Sequence, residues 1–117
     1  MRRIVPNIYS NNMAESKHFY GEFLDMELAM DLGWVTTFVS KDNPTAQISI
    51  LENKNSGPLD NSAIFLSIEV ADVNHYYKKA QELAINISYK IRDEDWGVRR
   101  FFVTDPNGVT LNLLSHI

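Results

Sequence analysis

The chain contains no cysteine in its 117 residues. Disulfide bonds, thiol nucleophiles and cysteine-ligated metals are therefore excluded. Long apolar runs are missing too, and none approaches the roughly 20 residues that a membrane-spanning helix needs. Near the N-terminus, Asn7 and Ser10 interrupt the apolar residues, so we expect no signal peptide. We predict a cytoplasmic protein with no membrane partner.

Positive charge is also sparse. The chain has 11 Lys and Arg against 15 Asp and Glu, and its net charge is −4. Lys78-Lys79 and Arg99-Arg100 are isolated pairs, too small a footprint for binding a phosphate backbone. We therefore expect no nucleic-acid partner, whereas the mild acidity permits a cationic ligand.

One structural unit occurs twice along the chain. Residues 4–9 read as a strand that leads into a helix capped by Asn12, and residues 64–70 read as a strand that leads into a helix capped by Asp72. Each helix has one apolar and one polar face, as expected for a helix lying on a sheet. A duplicated unit of this kind favours paired sheets with a binding site.

Three candidate strands follow each helix. We expect the first helix to end near Asp25, and the strands to lie at about 26–32, 34–41, 46–52, 86–92, 99–104 and 109–115. Asp105-Pro106-Asn107-Gly108 predicts a tight turn between the last two strands, because Pro presets φ and Gly supplies a positive φ. The hairpins predict an α+β fold with mostly antiparallel pairing.

The polar segment 53–63 separates the two units and is rich in residues that break helices and strands. We therefore predict one domain over 1–117, with module one at about 1–52, a linker at 53–63 and module two at about 64–117. Each module has the order βαβββ. A chain of this length suits a single domain.

The sequence resembles the vicinal oxygen chelate superfamily, which includes glyoxalases, bleomycin-resistance proteins and extradiol dioxygenases. The resemblance covers essentially the whole chain, and its parts are the segments 12–27, 68–73 and 96–108 at their relative spacing. It implies two βαβββ modules whose curved sheets enclose a cleft for a small molecule. It also implies a homodimer, although the sheets could pair within one chain or between two.

Metal-dependent members of that family hold a divalent cation with four side chains. Carried over by the resemblance, the four positions are Val5, Ser49, Phe65 and Asn112. Val5 and Phe65 cannot coordinate a metal, and two neutral oxygens are a poor divalent site. We therefore predict no metal, no cofactor and no catalytic residue. His18, His75 and His116 are expected to be surface residues.

Strand alternation indicates which side chains face the expected cleft. It places Ser49, Phe65, Ser67 and Asn112 on that side, together with Glu69, which we expect to be solvated rather than a buried general base. For 99–104 the pattern does not choose a face, and the resemblance favours Phe102 and Arg100. The candidate ligand-binding residues are Trp34, Ser49, Phe65, Ser67, Trp96, Arg100, Phe102 and Asn112.

Three of the aromatic candidates have an alternative structural interpretation. Trp34 and Phe38 could be ordinary strand core, whereas Trp96 could be a partly exposed anchor for its hairpin or a stacking platform next to acidic residues. The favoured function is metal-independent binding of an aromatic or cationic compound, as in the bleomycin-resistance branch.

Two other functions stay open at this point. One is a metal-dependent lyase or isomerase of the glyoxalase type, with an unusual ligand set that involves Glu52, Glu69 or a histidine. The other is a structural module whose cleft is filled by its own side chains.

Overall fold

The computed structural model describes residues 1–55 and 57–117. The chain divides into two compact units, Met1–Leu59 and Asp60–Ile117. The division falls inside the predicted linker 53–63, of which Ser56 lies outside the described residues. The expectations of one domain and of a cleft between the two sheets stay predictions.

Each unit has one helical segment and four strands in the order βαβββ. The first unit comprises β1 (Asn7–Ser10), α1 (Met13–His18, followed by a π-helical turn at Phe19–Phe23), β2 (Glu27–Asp31), β3 (Val35–Val39) and β4 (Gln47–Glu52). The second comprises β5 (Phe65–Glu69), α2 (Val73–Glu82), β6 (Asn86–Asp93), β7 (Val98–Thr104) and β8 (Thr110–His116).

The two sheets have the same topology. Their strand orders are β1-β4-β3-β2 and β5-β8-β7-β6. In each sheet the first and last strands pair parallel, and the remaining neighbours pair antiparallel. The predicted α+β class and the duplicated βαβββ unit are thus confirmed. The last strand of each unit is an inner strand, so its side chains have neighbours on both sides.

Both predicted helix caps are confirmed. The Oδ1 of Asn12 accepts a hydrogen bond from the N–H of Glu15 at 3.0 Å, and the Oδ1 of Asp72 accepts one from the N–H of His75 at 3.3 Å. Both satisfy a helix N–H that has no partner within the helix.

The first helix differs from the prediction in its second half. The α-helical part ends at His18 and the chain continues as a π-helical turn, in which the N–H of Leu24 bonds the C=O of Phe19 at 3.1 Å. The wider turn holds Phe19, Tyr20 and Phe23 in the core, where they are at most 3% exposed. The helix expected to about Asp25 is thus helical up to Phe23, but its second half is a π-helical turn and not α-helical, because packing of these rings sets the local geometry.

The first strand begins later than the predicted residue 4. Ile4 makes only an isolated bridge to Ala46, and regular pairing starts at Asn7. Pro6 lies between them and has no N–H to donate, although its C=O accepts from the N–H of Ser49 at 3.0 Å.

The predicted turn before the last strand is confirmed. The Oδ1 of Asp105 accepts hydrogen bonds from the N–H groups of Asn107 and Val109, both at 2.8 Å. Gly108 has a φ of +88°, a conformation that favours glycine. The turn fixes the start of β8 and hence the register of its side chains with β7.

The core of each unit lies between its helix and one face of its sheet. In the second unit, Phe101, Leu111 and Leu113 are fully buried there, and Tyr77 of α2 packs edge-on against Phe101 with ring centroids 5.0 Å apart. In the first unit, Phe38 is 2% exposed and packs near Tyr20, so it is strand core rather than a pocket wall. In both units the opposite face of the sheet is left for other contacts.

Candidate functional site

The candidate site is the face of the second sheet that α2 does not cover, here called the open face. Paired residues in neighbouring strands project to the same side, so the register lays out this face in rows. One row crosses all four strands and consists of Ser67, Asn112, Phe102 and Tyr89. The next row consists of Glu69, Leu114, Arg100 and Arg92. The structure thus places Phe102 and Arg100 on the same face as Asn112.

Three aromatic rings form the centre of the open face. Tyr89 stacks on Phe102 with ring centroids 4.6 Å apart, and Phe65 meets Phe102 edge-on at 5.1 Å. Phe65 belongs to β5 and Phe102 to β7, which flank β8, so the two rings lean towards each other over β8. Phe65 is 51% exposed, which is unusual for a large apolar side chain. The face therefore offers apolar surface to a partner.

Arg100 lies among the rings. Its guanidinium carbon is 4.8 Å from the ring centroid of Phe102, 4.9 Å from that of Trp96 and 5.3 Å from that of Tyr89. These distances are within the range of cation–π attraction. Arg100 thus orders the aromatic side chains of β6, β7 and the loop between them.

Glu94 holds this arrangement in place. Its side chain is only 6% exposed and binds the guanidinium of Arg100 at 2.7 Å and that of Arg92 at 2.8 Å. It also accepts a hydrogen bond from the hydroxyl of Tyr89 at 2.9 Å. Burial raises the pKa of this carboxyl, but the hydrogen bonds from Tyr89 and Arg100 and the charges of both arginines outweigh that effect and lower the pKa. Glu94 is therefore an anion at neutral pH.

Trp96 lies in the short loop between β6 and β7. It is 64% exposed, and the next residue, Gly97, has a φ of +89° that lets the chain turn. The inner side of the indole contacts Arg100, while much of the ring remains accessible. Both interpretations of Trp96, hairpin anchor and stacking platform, agree with this position.

Asn112 and Ser67 are the polar residues at the centre of the open face. The Nδ2 of Asn112 donates a hydrogen bond to the Oγ of Ser67 at 3.1 Å, across the parallel pair β5–β8. Asn112 is 6% exposed, and its Oδ1 has no hydrogen-bond partner among the described residues.

The remaining predicted residues, Trp34 and Ser49, belong to the first unit. The hydroxyls of Ser49 and Thr37 share a hydrogen bond at 2.7 Å, and Ser49 is 6% exposed. Trp34 is 47% exposed and lies under the ammonium of Lys54 at 5.3 Å, so the strand-core interpretation does not hold for it. In the topology, Ser49 and Thr37 occupy the positions that Asn112 and Phe102 have in the second unit. The open face of the second sheet and the corresponding face of the first sheet therefore differ in chemistry.

A comparison with protein families identifies the chain. The family model described as the Glyoxalase/Bleomycin resistance protein/Dioxygenase superfamily matches residues 3–113. The chain belongs to this superfamily. A search among the curated proteins found no relative that matches the chain.

Several solved structures share the superfamily fold. One described as a conserved domain protein is 24% identical, with 100% of both chains covered and a TM-score of 0.81. TioX from Micromonospora sp. ML1 is 13% identical, with 98% of both chains covered and a TM-score of 0.81. A bleomycin resistance determinant encoded on the transposon Tn5 is 17% identical, with 99% of this chain and 98% of that chain covered and a TM-score of 0.78. At these identities the likeness shows the fold alone.

The residues at the superfamily's metal positions do not fit a divalent cation. Val5 and Phe65 have hydrocarbon side chains, and Ser49 is hydrogen-bonded to Thr37. Within residues 1–55 and 57–117, no three His, Asp or Glu side chains come together as a metal-binding group. Hydroxyl and carboxamide oxygens alone do not supply the charge that such a cation needs.

The histidines and Glu69 lie at the surface. His18 pairs with Glu22 at 2.8 Å, and His116 at the end of β8 pairs with Glu69 at 2.9 Å. Each of these four side chains is more than half exposed. The expectation that Glu69 is solvated is thus confirmed.

Sequence reasoning missed Tyr89 and Glu94. Alternation along 86–92 groups Tyr89 with Ile87 and Ile91, which predicts that it packs towards the helix. The pairing of β6 with β7 shifts register between Ile87 and Tyr89 and again between Tyr89 and Arg92. The first shift turns Tyr89 to the open face. For Glu94 the available signal was its position between two strands that carry Arg92 and Arg100.

In the described part of the chain, the helices are too short or too polar to cross a membrane.

We expect Glu94→Gln to lower the free energy of unfolding at neutral pH and to have little effect in acid. The folded protein depresses the pKa of Glu94 below its ordinary value of 4.5, so its stabilisation is present above that pH. It is lost as the pH falls through the lowered pKa. Urea denaturation of both proteins between about pH 2 and pH 7 measures the difference. Asp95→Asn, at the next and exposed residue, is the control, and an equal pH dependence of the two variants would contradict the assignment.

Proposed function

We propose that this protein is a metal-independent small-molecule binding protein of the bleomycin-resistance-like type, which sequesters an aromatic or cationic compound on the open face. The observation that carries the proposal is the cluster of Tyr89, Trp96 and Phe102 around Arg100, which Phe65 extends through its edge-on contact with Phe102. Ligand sites are typically apolar and aromatic, with a few polar groups that orient the ligand. Asn112 and Ser67 are suited to that orienting role.

The exposed aromatic side chains of the open face favour a flat ligand. Phe65 and Trp96 leave 51% and 64% of their surface accessible, and stacking a planar compound on them would remove that surface from water. Trp34 adds a third exposed ring, in the first unit.

The charge balance permits a cationic group on the ligand. Glu94 lies 2.7 Å from the guanidinium of Arg100 and offsets part of its positive charge, so an approaching cation is repelled less. The exposed indole of Trp96 provides a π surface that attracts such a group.

The same contacts argue against general base catalysis by the buried carboxylate. Glu94 is bound to two guanidinium groups and a phenol, and its pKa is lowered. A carboxylate of low pKa is a weak base at neutral pH. Binding without turnover is the function that this arrangement supports best.

We also propose that the protein is a cytoplasmic homodimer. All five residues of β2 are exposed, including Leu28 and Met30, on an edge strand that could pair with a second copy. A monomeric mass in light scattering at micromolar concentration would contradict the dimer.

We expect Phe65→Ala to weaken ligand binding while leaving most of the stability intact. A buried Phe→Ala change costs about 3–5 kcal/mol, and a ring that is half exposed should cost much less. The measurement is a thermal-shift and calorimetric screen of planar aromatic and cationic compounds. Leu32→Ala, at a residue that is 58% exposed in the first unit, is the control. A large loss of stability without any ligand would favour a self-filled structural module instead.

Ligand affinity should not depend on divalent metal. Because the donor set does not fit a cation, protein purified without a tag and dialysed against EDTA should bind with unchanged affinity. Elemental analysis measures the retained metal. A stoichiometric divalent ion that survives dialysis, or a loss of binding restored by zinc, nickel or manganese, would overturn the proposal in favour of a metal-dependent lyase or isomerase.

A further inference from the structure

Asn112 carries a buried hydrogen-bond acceptor that the fold leaves unused. Asn112 is 6% exposed and its Nδ2 donates a hydrogen bond to Ser67, whereas its Oδ1 has no hydrogen-bond partner among the described residues. Buried polar groups are almost always hydrogen-bonded, because an unpaired one forfeits its hydration without compensation. Such an exception at a candidate binding site calls for a partner from outside the chain.

Two strong donors on the open face, Tyr89 and Arg100, are directed to Glu94 and not to Asn112. The hydroxyl of Tyr89 donates to Glu94 at 2.9 Å, and the guanidinium of Arg100 binds the same carboxylate at 2.7 Å. Phe65 and Phe102 lie in the adjacent positions of the face and have no polar hydrogen to donate. The side chains around Asn112 thus provide ring surface and a partner for its Nδ2, and none of them is hydrogen-bonded to its Oδ1.

We infer that the ligand of the open face is an aromatic compound with an N–H group on its ring edge, which donates a hydrogen bond to the Oδ1 of Asn112. This inference rests on the proposed binding function and specifies its ligand class. The rings of Phe65 and Phe102 contact the aromatic ring of the ligand, and Asn112 selects the polar group on the edge of that ring. Discrimination is strong where a buried site group would otherwise stay unpaired.

Electrostatics favour an N–H donor over an anionic group. A carboxylate or phosphate would place its oxygens against the carbonyl oxygen of Asn112, which can only accept. Arg100 is already paired with Glu94 through Nε and Nη2, which reduces the attraction that it offers to an anion. A neutral or cationic N–H group meets no such cost.

Phe65 is a neighbour of Asn112 on the open face. The Phe65 ring lies diagonal to Asn112 on the sheet, since Phe65 pairs with Thr110 and Ser67 with Asn112. With 51% of its surface exposed, Phe65 is free of tight packing and its ring can turn aside. The ring then becomes one wall of the ligand site.

The test compares indole with 1-methylindole, which differ at the N–H. Calorimetry or protein-observed NMR titration gives the affinity for each compound. We expect wild-type protein to bind indole about five- to ten-fold more tightly, the gain from one neutral hydrogen bond. Chemical-shift changes should centre on Phe65, Phe102 and Asn112.

Asn112→Leu is the decisive variant, because leucine has a similar volume and no acceptor. It should abolish the preference for indole, whereas Asn74→Leu, at an exposed residue of α2, should retain it. The melting temperature of Asn112→Leu should equal or exceed that of the wild type, by roughly 3 °C or more if the unpaired oxygen is costly. Because the variant also removes the hydrogen bond from Nδ2 to Ser67, the reference for a fall is Ser67→Ala, and a melting temperature below that of Ser67→Ala would contradict the inference.

The outcomes separate the two proposals. Equal affinity for the two compounds in the wild type, or a preference that survives Asn112→Leu, would overturn the N–H requirement and leave the binding function standing. If neither compound bound at millimolar concentration, or if the shifts fell outside the open face, both the inference and the proposed function would fail.

Discussion

The structure depends on a simple imbalance: each unit has one helix for a sheet with two faces. A sheet of four strands buries one face under that helix, where Phe101, Leu111 and Leu113 form the core of the second unit. Its other face has no helix from the same unit, so its side chains are not constrained to be apolar. The two units can therefore share a topology and still present different chemistry, hydroxyls at Thr37 and Ser49 and aromatic rings at Tyr89 and Phe102.

Within the second unit, a buried carboxylate organises the rings. Glu94 holds Arg100, and the guanidinium of Arg100 in turn lies against Tyr89, Trp96 and Phe102. A buried ion pair is weak evidence for stability, because the desolvation of both charges offsets their attraction. Its value here is geometric: it fixes where the rings lie and leaves the outer sides of the aromatic side chains accessible.

The sequence was sufficient for the fold because local signals agreed with one another. Asn12 and Asp72 mark both helix starts, and the turn at 105–108 fixes the final hairpin. Alternation also placed Phe65, Ser67 and Asn112 correctly on one face. It could not find Tyr89, because a register shift breaks the period of two on which such reasoning relies. Glu94 was missed for a different reason: its partners Tyr89, Arg92 and Arg100 lie on two strands and converge on a loop residue, which no local pattern encodes.

The register shifts in the edge strand β6 determine which of its side chains lie on the open face. In β6 the identity of a residue does not determine whether its side chain faces the helix or the open face. The position of the residue relative to the two register shifts with β7 determines it. If the first irregularity were absent, Ser88 would pair with Phe102 and the phenol of Tyr89 would turn towards the helix, with the rest of the sheet unchanged. Related chains could thus present different side chains on this face through the position of a bulge in this strand alone, without any replacement in the other three.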